Sequence, residues 1–142
     1  MTNDWSGYET FEHTADVGLR VRARDMKELL ELASEGMADL MLEQGGVEAG
    51  EERAISVEAG DREELLVDWL SEVLYAFEGE RFAPVRAEVQ TLEGNRAEGV
   101  LRGEPYDENR HEVLLNIKAV TYHDLKIEET NEGLEVRVVF DI

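Results

Sequence analysis

Two short stretches, one near each end of the chain, carry the residues best suited to chemistry. The first is His13-Thr14-Ala15-Asp16, which offers an imidazole, a hydroxyl and a carboxylate directly before Val17-Gly18. The second is the final pair, Asp141-Ile142, which we expect to place a side-chain carboxylate beside the terminal carboxylate. Because Ca²⁺ and Mg²⁺ take oxygen ligands, the sequence predicts a hard-cation site if these two stretches meet.

Each stretch also has an ordinary structural interpretation. An Asp before a turn commonly accepts hydrogen bonds from nearby backbone amides, and a lone His beside it is usually a structural hydrogen-bonding residue. An ordered terminal run such as residues 138–142 can simply complete the edge of a sheet. The metal hypothesis therefore depends on the combination, since anionic groups brought together repel unless a cation or donors compensate.

The first half of the chain contains the patterns that would position these residues. Residues 18–24 alternate apolar side chains with Arg, which is typical of a half-buried strand. Asp25 is a candidate N-cap with Glu28 as its capping-box partner, and the apolar spacing that follows predicts a helix of about 17 residues. Asp61 and Glu64 repeat the same signal before a second amphipathic helix.

From residue 82 onward the sequence shows only strand and turn patterns. Strands adjacent in sequence tend to pair antiparallel, with amphipathic helices covering one face of the sheet. The expected fold class is therefore α+β, with an antiparallel or mixed sheet and two helices. The strands that we predict here span residues 85–89, 97–102, 115–122, 125–129 and 134–140.

Composition narrows the class of protein further. The 142 residues suit one domain, which we expect to span residues 1–142. The absence of Cys excludes disulfides and thiolate metal sites. Apolar runs are only a few residues long and residues 1–5 lack signal-peptide character, so we expect no membrane span and a cytoplasmic protein.

The net charge of −20 bears on the choice of partner. Affinity for nucleic acid rests chiefly on Lys and Arg that neutralise phosphates, so we expect no direct nucleic acid binding. A basic protein partner is compatible, because opposite fields accelerate encounter. The same acidity also fits plain solubility or adaptation to high salt, and acidity alone identifies no partner.

Common catalytic machinery is absent from the sequence. No Gly-rich loop has the spacing and Lys of a phosphate-binding loop, and neither Ser34 nor Ser71 lies in a nucleophile-elbow pattern. A metal-dependent hydrolase of a small substrate, using Asp16, His13 and Asp141, is the best catalytic alternative. An acidic chaperone-like binder without metal is a third class.

Two further groups of polar residues receive structural interpretations. Asp68 and Glu72 fall opposite the apolar face of the second helix, so we interpret them as solvated charges. Tyr122-His123-Asp124 contains a His beside a carboxylate, but adjacent strand residues point to opposite faces. We therefore expect a turn between two strands and no shared role for His123 and Asp124.

Four blocks in order resemble the archease family, whose members are small proteins that activate the RtcB-type RNA ligase in tRNA splicing and RNA repair. The blocks are residues 11–18, 65–75, 117–128 and the final Asp141-Ile142. The resemblance runs from about residue 8 to residue 142. It implies a fold of two related strand–helix–strand–strand units in one compact domain. It also implies a non-catalytic activator that promotes metal- and GTP-dependent guanylylation and multiple turnover of such a ligase.

Carried over to this chain, the resemblance implies that Asp16, Asp141 and Ile142 bind a divalent cation. Ca²⁺ is favoured because it accepts irregular oxygen ligation, and Mg²⁺ or Mn²⁺ are alternatives. The protein ligands are few, so water or a partner must complete the coordination. Three more residues are candidates for facing the ligase or its nucleotide: His13, Arg110 and Lys118.

Overall fold

The structure is a computed structural model, and it describes residues 5–13 and 16–142. Within these residues the chain forms two helices, one 3₁₀ turn and eight strands. Their order is β1 (Gly7–His13), β2 (Asp16–Ala23), α1 (Met26–Met41), the 3₁₀ turn (Gln44–Gly46), β3 (Glu51–Glu58), α2 (Arg62–Glu78), β4 (Phe82–Glu93), β5 (Arg96–Pro105), β6 (Ala119–Val120), β7 (Glu128–Glu129) and β8 (Leu134–Asp141).

Both helices begin at the caps that the sequence predicts. The carboxylate of Asp25 accepts a hydrogen bond from the Glu28 N–H at 2.9 Å, and Asp61 accepts one from the Glu64 N–H at 2.8 Å. Helix α1 has 16 residues, close to the expected length. Among the described residues, no helix is both long and apolar enough to cross a membrane.

All the strand pairs are antiparallel, and they form two sheets. The first sheet has the order β1-β2-β8-β6, with β7 also paired to β8, and the second has the order β3-β5-β4. Helix α1 packs against both β2 and β4, and therefore joins the two sheets, while α2 packs mainly against β3 and β4. The predicted α+β class is confirmed, with two sheets where the sequence predicts one.

Strand β8 shows how the first sheet is divided into a buried and a solvated face. Val136, Val138 and Phe140 are buried in the core, while Arg137 and Asp141 alternate with them and are exposed. Antiparallel sheets commonly have one face against the core and one in water. Asp141 thus belongs to the outer face, away from the helices.

The region between β5 and β8 departs most from expectation. The strand predicted at residues 115–122 is wrong except for β6, and the strand predicted at 125–129 shrinks to β7. Thr121 explains the early end of β6, because its N–H and its hydroxyl both donate to the Val139 carbonyl, at 3.1 and 2.8 Å. The same hydroxyl accepts from the His123 N–H at 3.2 Å and turns the chain away from β8.

The predicted turn at His123 and Asp124 is confirmed, but the geometric argument against their contact is wrong. Asp124 has a φ of 53°, in the left-handed region, and is not in a strand. Its Oδ2 atom lies 3.3 Å from Nε2 of His123. Both side chains are exposed, so this contact contributes little to stability.

A buried hydrogen bond connects the two helices. Ser34 on α1 donates to the Leu30 carbonyl at 2.7 Å, and its oxygen accepts from Nε1 of Trp69 on α2 at 2.9 Å. Ser34 and Trp69 are both essentially inaccessible to solvent. A satisfied polar pair in a core favours one helix register over alternatives, because any shift leaves a buried donor without an acceptor.

We expect Ser34→Ala to lower the free energy of unfolding by about 1–3 kcal/mol, since the Trp69 N–H then remains buried without an acceptor. In a Trp69→Phe background the same substitution should cost less, because no donor is left to satisfy. Urea unfolding of the four proteins in this double-mutant cycle measures the difference. Ser56→Ala, at an exposed position of β3, is the control; equal effects at both serines contradict the interpretation.

Candidate metal centre

The register of β2 against β8 brings the two predicted stretches together. Asp16 and Asp141 are directly opposite each other in this antiparallel pair. Opposite residues of such a pair project to the same face, with Cβ atoms about 4.5–5.5 Å apart. Asp16 is partly exposed, and Asp141 is exposed on the outer face. The sequence prediction that the two chain segments meet is therefore confirmed.

Asp141 is held in place by its main chain on both sides. It pairs with Asp16 on one side and with Ala119 of β6 on the other. Its carbonyl accepts a hydrogen bond from the Lys118 N–H at 2.7 Å. These bonds fix the backbone of Asp141 and leave its side-chain carboxylate for a ligand. The Lys118 side chain is exposed beside this position.

Phe11 holds β1 against β2 close to the same position. It lies directly opposite Gly18, and its Cζ atom is 2.1 Å from the place where a Cβ at Gly18 would stand. The guanidinium of Arg137 lies 4.3 Å from the centre of the Phe11 ring. Gly18 thus leaves room for the ring, an arrangement in which an aromatic side chain covers a glycine in the neighbouring strand. Two residues further along this strand pair, the backbone of His13 lies opposite Asp16.

The structure describes only part of the His-Thr-Ala-Asp block. The backbone of His13 pairs with Asp16 at the end of β1, whereas Thr14 and Ala15 lie outside the described residues. The role of His13 stays a prediction.

The donor set fits a hard cation that water or a partner helps to ligate. The predicted donors are the carboxylates of Asp16 and Asp141, which lie opposite each other, and the main chain of Ile142, a residue that is 38% exposed. The described residues contain no cluster of three or more His, Asp or Glu side chains suited to a metal, so the protein ligands alone are few. Two carboxylates directly opposite each other repel, and a divalent cation between them would relieve that repulsion.

Arg110 lies in a second, separate cluster. It donates two hydrogen bonds to the Glu104 carboxylate, at 3.0 and 2.9 Å, and its side chain remains 48% exposed. The Glu48 N–H donates to the same carboxylate at 2.8 Å. Nδ1 of His111 accepts from the Asp107 N–H, so its Nε2 carries the proton and donates to Glu104 at 3.0 Å. The partner-facing role of Arg110 stays a prediction, because its guanidinium already has a structural acceptor.

These donors also explain the acidity of Glu104. The Arg110 side chain, the Glu48 N–H and the His111 ring lower the pKa of this carboxyl to about 2. Charged donors stabilise the ionised form of a carboxylate more than its protonated form. Sequence inspection missed Glu104. Arg110 and His111 follow it closely in the sequence but form no recognised motif with it, and the Glu48 N–H comes from a distant part of the chain.

Glu104 should therefore contribute a pH-dependent part of the stability. Its folded-state pKa of about 2 is below the ordinary value of 4.5, so the contribution is complete above about pH 4.5 and is lost as the pH falls toward 2. We expect Glu104→Gln to be less stable than wild type at neutral pH and this gap to narrow in acid. Urea unfolding at constant ionic strength measures the gap, with exposed Glu132→Gln as the control. A gap that is independent of pH contradicts the expectation.

Fold and site together define the chain as a small α+β protein with a carboxylate pair where its second and last strands meet. The model of the archease protein family (MTH1598/TM1083) matches residues 8–142. The chain belongs to the archease family.

Similar proteins support this assignment over their whole lengths. The archease of Methanopyrus kandleri is 40% identical over 138 residues, covering 95% of this chain and 99% of the relative. The archease of Methanosarcina acetivorans is 35% identical over 146 residues and covers both chains fully. The solution structure of Methanobacterium thermoautotrophicum protein 1598 has a TM-score of 0.78 at 30% identity, covering 96% of this chain and 99% of that one.

A crystal structure from Thermotoga maritima, described as an archease and possible chaperone, has a TM-score of 0.68 at 27% identity. It covers 94% of this chain and 96% of its own. The two helices and the antiparallel sheets of this protein match the fold of both solved structures.

Proposed function

We propose that this protein is a non-catalytic, metal-binding activator of an RtcB-type RNA ligase in tRNA splicing and RNA repair. It promotes the GTP-dependent guanylylation of the ligase and its multiple turnover. The observation that carries the proposal is the direct pairing of Asp16 with Asp141 on a solvated sheet face. Membership of the archease family supports it.

The position of the carboxylate pair suits action on another protein. Asp16 and Asp141 lie at the end of an exposed sheet face, and Ile142 follows beyond the last strand pair. A large partner can therefore approach these oxygen atoms without displacing any core element. Enzymes that act on small substrates commonly use a concave site that surrounds the substrate, whereas Asp16 and Asp141 lie on the outer face of a sheet.

The chemistry assigned to the ligase needs charge and positioning above all. Phosphoryl and nucleotidyl transfer depend mainly on orientation and on neutralisation of phosphate oxygens. A divalent cation, when bound, supplies positive charge for that purpose. The carboxylates of Asp16 and Asp141 would hold it at a fixed place, and the backbone bonds of Asp141 limit their movement. Lys118, exposed beside Asp141, can contact the partner or its nucleotide.

The charge of the protein supports a protein partner. A net charge of −20 would repel an RNA backbone, whereas it accelerates encounter with a basic ligase cleft. No observation of the described residues favours the hydrolase alternative, and the comparisons give it no support.

Ca²⁺ should bind at the carboxylate pair. We expect Asp16→Asn and Asp141→Asn each to weaken Ca²⁺ binding at least about tenfold, equivalent to about 1.4 kcal/mol, because each removes a charged ligand and keeps the side-chain size. Calorimetric titration measures affinity, and the rise in Tm with Ca²⁺ is a second readout. Glu132→Gln removes an exposed carboxylate from the turn before β8 and should bind as wild type does. Unchanged affinity in both Asn variants contradicts the site.

The ligase assay tests the function itself. Ligase, GTP, a divalent metal and a broken RNA are mixed with and without this protein at substoichiometric amounts. We expect faster covalent guanylylation and more sealing events per ligase, and loss of both effects in Asp16→Asn with an unchanged circular dichroism spectrum. The protein alone should neither seal RNA nor hydrolyse nucleotide. Unchanged guanylylation in the presence of wild type refutes the proposal, and hydrolysis by the protein alone favours the hydrolase.

A further inference from the structure

Residues 112–118 run along the surface without joining either sheet. At one end, the Glu112 carbonyl accepts from the Glu43 N–H at 3.0 Å and the Leu114 N–H donates to the Met41 carbonyl at 2.8 Å. At the other end, the Lys118 N–H bonds to Asp141. Between these points, the N–H groups at 116 and 117 have no hydrogen-bond partner among the described residues. The segment is thus anchored at both ends, and its middle is not part of a regular strand.

Leu114 is unusual within this segment. Its side chain is 50% exposed, although large apolar side chains in the described part of the chain are mostly buried. By contrast, Ile117 is buried in the core and Val113 is partly buried against it. A single exposed Leu needs no explanation, but Leu114 lies in sequence between Val113 and Asn116, which both line a groove.

The groove has a volume of about 340 Å³, which is within the range that small side chains and ligands occupy. Phe77, Tyr106 and Val113 supply its apolar surface, and Glu78, Glu108 and Arg81 contribute charged groups. Arg81 lies 4.7 Å from the centre of the Tyr106 ring, and Phe77 packs edge-on against that ring at 5.3 Å. These contacts hold the wall of the groove in place before any partner arrives.

The groove is connected to the candidate metal centre through the chain itself. Val113 lines the groove, and five residues later Lys118 bonds to Asp141. A partner segment that lies along residues 112–118 would therefore approach the carboxylate pair.

We propose that residues 112–118 and the adjoining groove dock a segment of the partner ligase that carries an apolar side chain flanked by Lys or Arg. This inference rests on the proposed function and names the docking surface for it. The apolar side chain enters the groove beside Phe77 and Val113, and its flanking Lys or Arg side chains lie next to the exposed carboxylates around the groove.

Charge complementarity identifies the flanking residues of the partner. Glu78, Glu108 and Glu112 are all exposed at or beside the groove, while the nearby cation of Arg81 is already placed over Tyr106. A basic segment gains from this arrangement. A second copy of this chain does not, because each copy carries a net charge of −20 and would bring acidic groups against acidic groups.

The test separates docking from activation. Leu114→Glu alters an exposed position, and we expect it to raise the Kd for the ligase at least about tenfold while maximal stimulation at saturating protein is retained. Asp16→Asn should lose stimulation even at saturating protein, and it should raise the Kd much less than Leu114→Glu does. Ala54→Glu, an exposed position on β3, adds the same charge elsewhere and serves as the matched control. Titration of labelled ligase gives the Kd, and guanylylation rates give the stimulation.

A second pair of variants keeps the inference testable if Leu114→Glu folds poorly. The double variant Glu78→Lys with Glu108→Lys should weaken ligase binding at low salt. Glu93→Lys with Glu132→Lys changes the net charge equally at positions that do not line the groove, and it should weaken binding much less. Wild-type stimulation combined with normal Kd values for both groove variants overturns the docking surface and leaves the proposed function standing. A wild-type protein that neither binds nor stimulates the ligase overturns both. Self-association in sedimentation that Leu114→Glu abolishes assigns the groove to a second copy and overturns the inference.

Discussion

The antiparallel pairing of β2 with β8 is the constraint on which the rest of the structure depends. It joins a strand near the beginning of the chain to its last strand, so every contact across it is long in sequence and costly in loop entropy. The buried side of the pair compensates with Leu19, Val21, Val138 and other core residues. The solvated side then receives Asp16 and Asp141 at a fixed register. A slip of one residue would send the carboxylates to the core, so core packing and site geometry select the same alignment.

On the outer face of the first sheet, side chains of like charge lie directly opposite each other at two places. Arg20 and Arg137 are also directly opposite each other in this strand pair. Their charges are accommodated within the protein, because Arg20 bonds to Glu9 at 2.9 Å and Arg137 lies over the Phe11 ring. At the second place, Asp16 lies opposite Asp141, and the neighbouring residues in the register are His13 and Ala119. The cation that we propose would add a positive charge between these two carboxylates.

The parts of this structure that follow from local chemistry could be predicted from the sequence. The caps at Asp25 and Asp61 act within one helical turn, and the family blocks placed Asp16 near Asp141. The prediction of a strand at 115–122 was wrong because an alternating pattern does not show how far a segment pairs with a neighbouring strand. Here the Thr121 hydroxyl bonds to the Val139 carbonyl, and the pairing with β8 ends. Glu104 was missed for a related reason, since its donors gather only when the chain is folded.

The loss of that long strand has a consequence for the site. A regular strand at 115–122 would have satisfied its main-chain groups against β8, whereas the observed segment reaches β8 only at Lys118 and again at 119–121. The same stretch thus touches the groove at Val113 and the carboxylate pair at Asp141. A ligand that restricts the movement of Asp141 would also restrict the end of this segment. Thermodynamic linkage is reciprocal: if a bound cation raises the affinity for the partner by some factor, the bound partner raises the affinity for the cation by the same factor. The short strand β6 therefore offers a physical route by which the proposed docking and the proposed cation binding would strengthen each other.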